Sequence, residues 1–242
     1  MKMFECNKIS RIYDTKAEEY DMYCEMHDTT YGYIEKMRRE CVFSLIKRKG
    51  RLLDTGCGTG FYLEKLSENE CFGIDVSKKM LNQCKRKHLK NVFLGDGAHL
   101  MFKNNAFDII LCVNSFQYFP EPIKSLTEMD RVLKESGEVI LTSENWGTPR
   151  IIAHRLFKVF QRQKDLERRY TIFALKKMFS KAGFEISDIV GFNFLPYKTN
   201  FKKRNEKVLN IFEYIERKIR RTPIKYFANE YAIRLVKQRK IT

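Results

Sequence analysis

Through the middle of the chain, short apolar runs alternate with stretches in which apolar residues recur at helical spacing. Residues 51–55, 71–75, 91–94, 107–113 and 137–143 read as buried strands, each bounded by glycine or polar residues. Between them, 60–68, 78–88 and 121–135 read as helices, with Pro120 and Pro122 placed to open the third and Gly137 to close it. Such alternation predicts a parallel sheet covered by helices on both faces. Two later runs, Phe184–Phe192 and Glu230–Lys237, bring the expected strands to seven. Ahead of the first strand, 13–26 and 31–49 read as helices. The second carries Ile34, Met37, Arg38, Cys41, Val42, Leu45 and Ile46 at a 3.6-residue period and has a basic polar face.

A chain of 242 residues is long enough for one well-buried domain with an elaboration and short for two. The expected organisation is a single domain over 1–242. Residues 1–50 form a helical cover and 51–145 a ligand-binding core. Residues 146–170 and 193–225 form substrate-side segments, and 171–192 with 226–242 complete the core.

The chemistry concentrates where the first strand ends. Arg51-Leu-Leu-Asp54-Thr-Gly56-Cys57-Gly58-Thr-Gly60 reads as strand, glycine turn and helix start, a loop in which a ligand can approach the main chain and meet free N–H groups. Its G-x-G-x-G spacing differs from the G-x-G-x-x-G of dinucleotide sites, and no Lys-Ser/Thr follows as in a phosphate-binding loop. Asp54 beside the turn would repel a pyrophosphate and attract an ammonium group such as that of S-adenosylmethionine. The second strand ends in Asp75, placed to accept from two ribose hydroxyls. The third ends in Asp96-Gly97, where a carboxylate can accept from an adenine amino group.

Three acids at three successive strand ends, in this order, resemble the class I S-adenosylmethionine-dependent methyltransferases, in particular the group that includes quinone-biosynthesis and small-molecule enzymes. The resemblance covers roughly residues 10 to 192. It extends to Phe107-Asp-Ile-Ile-Leu-Cys-Val-Asn114, to the stretch from Glu128 through Gly137, and to the stretch from Leu175 through Gly183. It implies a Rossmann-like sheet of seven mostly parallel strands whose last strand lies antiparallel between its neighbours. It also implies S-adenosylmethionine as cofactor and S-adenosylhomocysteine as product. The residues expected at the cofactor are Tyr20, Asp54, Gly56, Cys57, Gly58, Gly60, Asp75, Val76, Met80, Asp96, Gly97 and Asn114. Among them, the resemblance puts the three loop glycines along the methionine part and Tyr20 in the cover.

Methyl transfer from a sulfonium is an in-line displacement that needs alignment and exclusion of water more than a strong base. Candidate proton acceptors are Tyr13, Tyr20, His27, Glu144 and His154. Phe116-Gln117-Tyr118 stands where relatives often carry histidines, which weighs against a histidine base, and the catalytic residue stays unassigned. After the fourth strand the chain reads Asn114-Ser-Phe-Gln, with no Asn/Asp-Pro-Pro-Tyr/Phe motif, and no cysteine follows a proline. Amino methylation of adenine or glutamine by that motif, and methylation of cytosine C5, are therefore disfavoured.

Charge narrows the acceptor further. Residues 1–149 hold 22 Lys+Arg against 22 Asp+Glu, whereas 150–242 hold 24 against 8 and carry the whole formal net charge of +16. Two basic amphipathic stripes are expected there. The first is Ile152, Leu156, Val159 and Phe160 beside Arg150, Arg155, Lys158 and Arg162. The second is Val208, Ile211, Phe212, Ile215 and Ile219, bracketed by Lys202-Lys203-Arg204 and Arg217 to Arg221. They point to an anionic small-molecule or lipid-linked acceptor, with residues 150–221 available for peripheral contact with an anionic membrane or, in the alternative reading, RNA. A further alternative is a non-catalytic S-adenosylmethionine-binding protein, against which the intact loop counts. No apolar run of 18 residues occurs and Met1 to Asn7 lacks a signal-peptide core, so a cytoplasmic protein is expected, if anything peripheral to the membrane. Seven cysteines without a C-x-x-C pair read as reduced core thiols, and no structural metal is expected.

Overall fold

The computed structural model describes residues 2–148, 168, 170–195 and 203–238. In chain order the elements are α1 (Lys2–Lys16), α2 (Tyr20–Glu25), α3 (Thr30–Leu45), β1 (Arg51–Thr55), α4 (Phe61–Lys65), β2 (Glu70–Asp75), α5 (Lys78–Arg86), β3 (Val92–Leu94), β4 (Phe107–Cys112), α6 (Pro122–Val132), β5 (Leu133–Glu144), α7 (Ile172–Lys181), β6 (Phe184–Phe192), α8 (Glu206–Ile219) and β7 (Glu230–Lys237). Two 3-10 turns, Phe116–Tyr118 and Pro223–Phe227, follow β4 and α8.

The seven strands form one sheet in the order β3-β2-β1-β4-β5-β7-β6. Pairings from β3 to β5 are parallel, and β7 runs antiparallel to both β5 and β6, inserted between them as expected. Both faces of the central strands β1 and β4 are buried, so these read as apolar runs. Within β4, Ile110 and Cys112 enter a core with Leu126, Met129 and Phe179, while Ile109 and Leu111 enter the opposite core with Met37, Cys41 and Leu45. Strand order reverses between β1 and β4. The carboxyl ends of β1, β2 and β4 therefore splay around a crevice that the connecting loops must line.

Three expected boundaries differ. The helix read over 13–26 is two helices, α1 and α2. Asp14 is drawn to the start of α5, where it accepts from Ser77 Oγ at 2.6 Å, while Asp21 accepts from Thr59 Oγ1 at 2.5 Å in the glycine loop, so the chain turns between two anchors. The helix read over 31–49 stops at Leu45, and the N–H of Lys47 goes to the buried carboxylate of Glu138 at 2.7 Å. Gly137 does not end a helix. The chain leaves α6 at Val132 because Leu133 already pairs with Phe107 of β4, and Gly137 falls inside the long strand β5.

The basic stripe read over 150–162, with His154, lies outside the described residues. The second stripe does fall on a helix, α8, but with a different face inward: Leu209, Glu213 and Glu216 are buried, and Val208, Ile211 and Ile215 are exposed. Glu213 pairs with Lys36 of α3 at 2.7 Å, and Glu216 accepts from the N–H groups of Asn193 and Phe194 and from Tyr33. These polar partners outweigh the burial of the isoleucines.

Candidate functional site

A cavity of about 690 Å³, counting its open mouth, lies over the carboxyl ends of β1, β2 and β4. Its walls include Tyr20, Gly56, Gly58, Asp75, Val76, Met80, Asp96, Gly97 and Asn114. A second lobe shares Tyr20, Gly56, Gly58 and Asn114 with it and adds Asp54, Cys57, Glu35, Arg39 and Tyr62. The structure thus brings eleven of the twelve expected residues around one bipartite space. Gly60 stands behind the wall. At φ 82° it caps α4, and a side chain there would run into Leu89 and Cys84.

The glycine loop is shaped from below. Gly56 and Cys57 donate to Ile74 O of β2, and Gly58 donates to Asp75 Oδ2 at 2.9 Å. Asp75 also accepts from Ser77 N at 2.8 Å. Burial pushes its carboxyl up, and the N–H donors of Ser77, Gly58 and Val76 pull it back toward the ionised form. Gly58 has φ 53°, and a Cβ built on it meets nothing within 4 Å, so the loop is open on the side that faces both lobes.

Asp54 is the anomaly of the site. It is 2 % exposed, and its Oδ1 has no hydrogen-bond partner among the described residues. Burial first, and Asp75 second, push its carboxyl up to about 8. The Tyr62 hydroxyl in the same lobe is equally unsatisfied. Two buried polar groups aimed into one space call for a polar ligand, since each unmade bond costs on the order of 1–3 kcal/mol. Arg39 supplies the lobe with a cation, its guanidinium stacked 3.7 Å from the centre of the Phe61 ring.

Asp96 accepts from Ala98 N at 3.1 Å and sits 3.3 Å from His99 Nδ1 in the first lobe, whose lining also includes Phe119, Cys6 and Ile9. Asn114, two residues beyond β4, lies in the left-handed region at φ 53°; its N–H donates to Thr142 Oγ1 and its Oδ1 accepts from Gln117 Nε2 at 2.8 Å. Gln117 thereby fixes the loop where a histidine base would stand. Tyr13, Tyr20 and Tyr118 form an edge-to-face series over the mouth. His27 and Glu144 are exposed and line neither lobe. Among the described residues, no group of three or more His, Cys, Asp or Glu is placed to hold a metal.

Reading by motif missed Cys6, Ile9, Ser115, Tyr118 and Phe119 in the first lobe and Glu35, Arg39 and Tyr62 in the second. Arg39 left a trace as part of the basic face of the helix over 31–49, and Ser115 and Tyr118 in the stretch after the fourth strand.

Residues 53–141 match the family model described as a methyltransferase domain. Among curated proteins, the chain is 32% identical over 131 residues to the uncharacterized protein MJ1123 of Methanocaldococcus jannaschii. That match covers 54% of this chain and 60% of MJ1123, and two further uncharacterized proteins of the same organism are matched over only 51% and 49% of their lengths. The demethylmenaquinone methyltransferase of Staphylococcus aureus is 28% identical over 212 residues, 83% of each chain. In fold, a Thermotoga maritima S-adenosylmethionine-dependent methyltransferase superposes with a TM-score of 0.68 at 21% identity, covering 94% of this chain and 99% of its own. One from Archaeoglobus fulgidus gives 0.58 at 20% identity over 90% and 99%.

Proposed function

We propose that the chain is a class I S-adenosylmethionine-dependent methyltransferase that moves a methyl group onto a small-molecule or lipid-linked, anionic acceptor by in-line displacement. The observation that carries the cofactor assignment is the unsatisfied Asp54 carboxylate beside the open face of Gly58. A ligand bearing an ammonium group satisfies the one and fits against the other. In this reading Asp54 and the Tyr62 hydroxyl receive the amino end of the methionine part, Arg39 its carboxylate, Asp75 the ribose hydroxyls, and Asp96 with Gly97 the adenine. When bound, the cofactor supplies a methyl group on a positively charged sulfur, already bonded to a good leaving group.

The protein's share is alignment and dryness. Asn114, locked by Thr142 and Gln117, sets the edge between the lobes, and the three tyrosines roof the mouth. Burial holds the Tyr20 hydroxyl well above the usual tyrosine range, so it is a wall and a donor rather than a base. Such a site favours an acceptor whose attacking atom is electron-rich at neutral pH, such as an amine or an acidic phenol. The small or lipid-linked class is supported by the similarity to a demethylmenaquinone methyltransferase along most of both chains, and by the basic C-terminal part.

The test is transfer of labelled methyl from the cofactor into a total lipid extract, a soluble metabolite pool and bulk tRNA and rRNA. Label in lipid or small-molecule fractions is expected. Label confined to RNA would establish the alternative acceptor, and no label anywhere from a protein that binds cofactor would mark a non-catalytic binder.

Asp54 gives a second test with a defined sign. Its folded carboxyl titrates near 8, above its unfolded value of 3.8. The folded state therefore holds a proton that the unfolded chain releases, and stability contributed at low pH is lost as pH rises across that window. Asp54→Asn is expected to melt higher than the parent at about pH 8 without ligand, while binding cofactor at least about tenfold more weakly, as expected for a lost charged hydrogen bond. Parent affinity should rise from about pH 6 to about pH 8 as the carboxylate ionises. Thermal melts and calorimetry read both, and an Asp54→Asn protein that binds as tightly as the parent would remove the ammonium contact.

A further inference from the structure

We propose that the outward face of α8, continued by the 3-10 turn Pro223–Phe227, is a docking surface for an anionic lipid bilayer. The inference stands apart from methyl transfer and rests on how charge and apolar surface are sorted on this helix.

Lys207, Ile211, Tyr214, Ile215 and Lys218 recur at i, i+4, i+7, i+8 and i+11 and so share one side of α8. That side points to water: Ile211 is 59% exposed and Tyr214 65%. The helix's inward acids are spent elsewhere, Glu213 on Lys36 and Arg217 and Glu216 on two backbone N–H groups and Tyr33. Its remaining acid, Glu206, sits in the first turn. The exposed side thus carries aliphatic and aromatic groups with cations. Beyond Ile219 the pattern continues in Ile224, Lys225, Tyr226 and Phe227, the last 64% exposed. Each lysine of two such pairs already lies against a ring, Lys218 Nζ 5.6 Å from Tyr214 and Lys225 Nζ 5.5 Å from Tyr226.

This combination matches a bilayer interface, where apolar side chains enter the acyl boundary and lysine stems reach back to phosphates. The charge is complementary to anionic lipid, and the isoleucines have no stacking role on single-stranded nucleic acid. The face is also preformed. Ion pairs and hydrogen bonds to α3 hold α8 in place, so docking need not fold the helix.

The experiment is co-sedimentation of the whole chain with vesicles of phosphatidylcholine alone and of phosphatidylcholine mixed with phosphatidylglycerol. Binding is expected on the anionic vesicles only and should fall with added salt. Lys207→Gln, Lys218→Gln and Lys225→Gln should each weaken partitioning roughly fivefold. The pair Ile211→Ser and Ile215→Ser should bring it to background with the melting temperature and cofactor affinity unchanged. Should that pair disturb folding, Tyr214→Ser with Phe227→Ser replaces it. Failure to sediment with either vesicle would overturn the proposal, as would full binding by the folded serine variants. Selective retention of bulk tRNA through the same lysines, without vesicle binding, would overturn it in favour of an RNA surface.

Discussion

Asp75→Ala is expected to lower cofactor affinity by about two to four orders of magnitude in a calorimetric titration. Two hydrogen bonds from ribose hydroxyls to a carboxylate are worth about 1.5–3 kcal/mol each, or about 3–6 kcal/mol together. The same carboxylate shapes the loop by accepting from Gly58 and Ser77, so the loss has two sources. A cofactor analogue lacking a ribose hydroxyl separates them. If Asp75 holds the ribose, the parent loses affinity for the analogue and the variant loses little more, which is the signature of a shared contact. If Asp75 acts only through the loop, the two losses add. A folded Asp75→Ala protein that binds cofactor like the parent would sink the ribose assignment altogether.

The second large effect is on stability. Arg38 of α3 is almost completely buried and sits between two carboxylates, Glu35 one turn back on the same helix and Glu230 of β7. Its charge is held on firmly: burial opposes it, and the attraction of Glu230 and Glu35 more than restores it. Arg38→Ala would leave two acids desolvated without a counter-ion, and removing one partner of a buried ion pair costs about 3–5 kcal/mol. Urea denaturation should show a loss of that size. The triple replacement Arg38→Met, Glu35→Gln, Glu230→Gln should recover most of it, because the cost lies in unpaired charge rather than in missing bonds. A single variant that loses under about 1 kcal/mol would mean that water reaches the cluster. The cluster matters to the site because Glu35 lines the second lobe, and Glu230 also accepts from Asn193 Nδ2 at the end of β6.

Much of this molecule could be read from its residues because the relevant signals are local. The apolar runs of β1, β2 and β4, the glycine spacing and the acids at successive strand ends are each confined to a few positions, and the topology that assembles them follows from alternation. The errors share a cause as well. Glu213 and Glu216 face inward on α8 because their partners, Lys36, Tyr33 and the backbone at 193–194, come from other elements, and a periodicity argument sends charges to water. Gly137 lies within a strand because Leu133 finds Phe107, a pairing invisible to helix-stop rules. Arg39, Glu35 and Tyr62 meet Asp54 only because α3 and α4 pack beside the glycine loop, so the second lobe is a product of tertiary structure. The break between α1 and α2 is likewise set by where Asp14 and Asp21 find donors.

Those two aspartates have a bearing on turnover. Asp14 holds α1 to Ser77 Oγ and Lys79 N, and Asp21 holds α2 to Thr59 Oγ1 and Lys87 Nζ. Each latch closes on a segment that adjoins a wall of the cavity, one beside Asp75 and one beside Gly58. The helices of the roof are thus tied directly to the segments that carry the floor. Asp14→Asn with Asp21→Asn is therefore expected to speed cofactor exchange more than it lowers cofactor affinity, which stopped-flow binding would read.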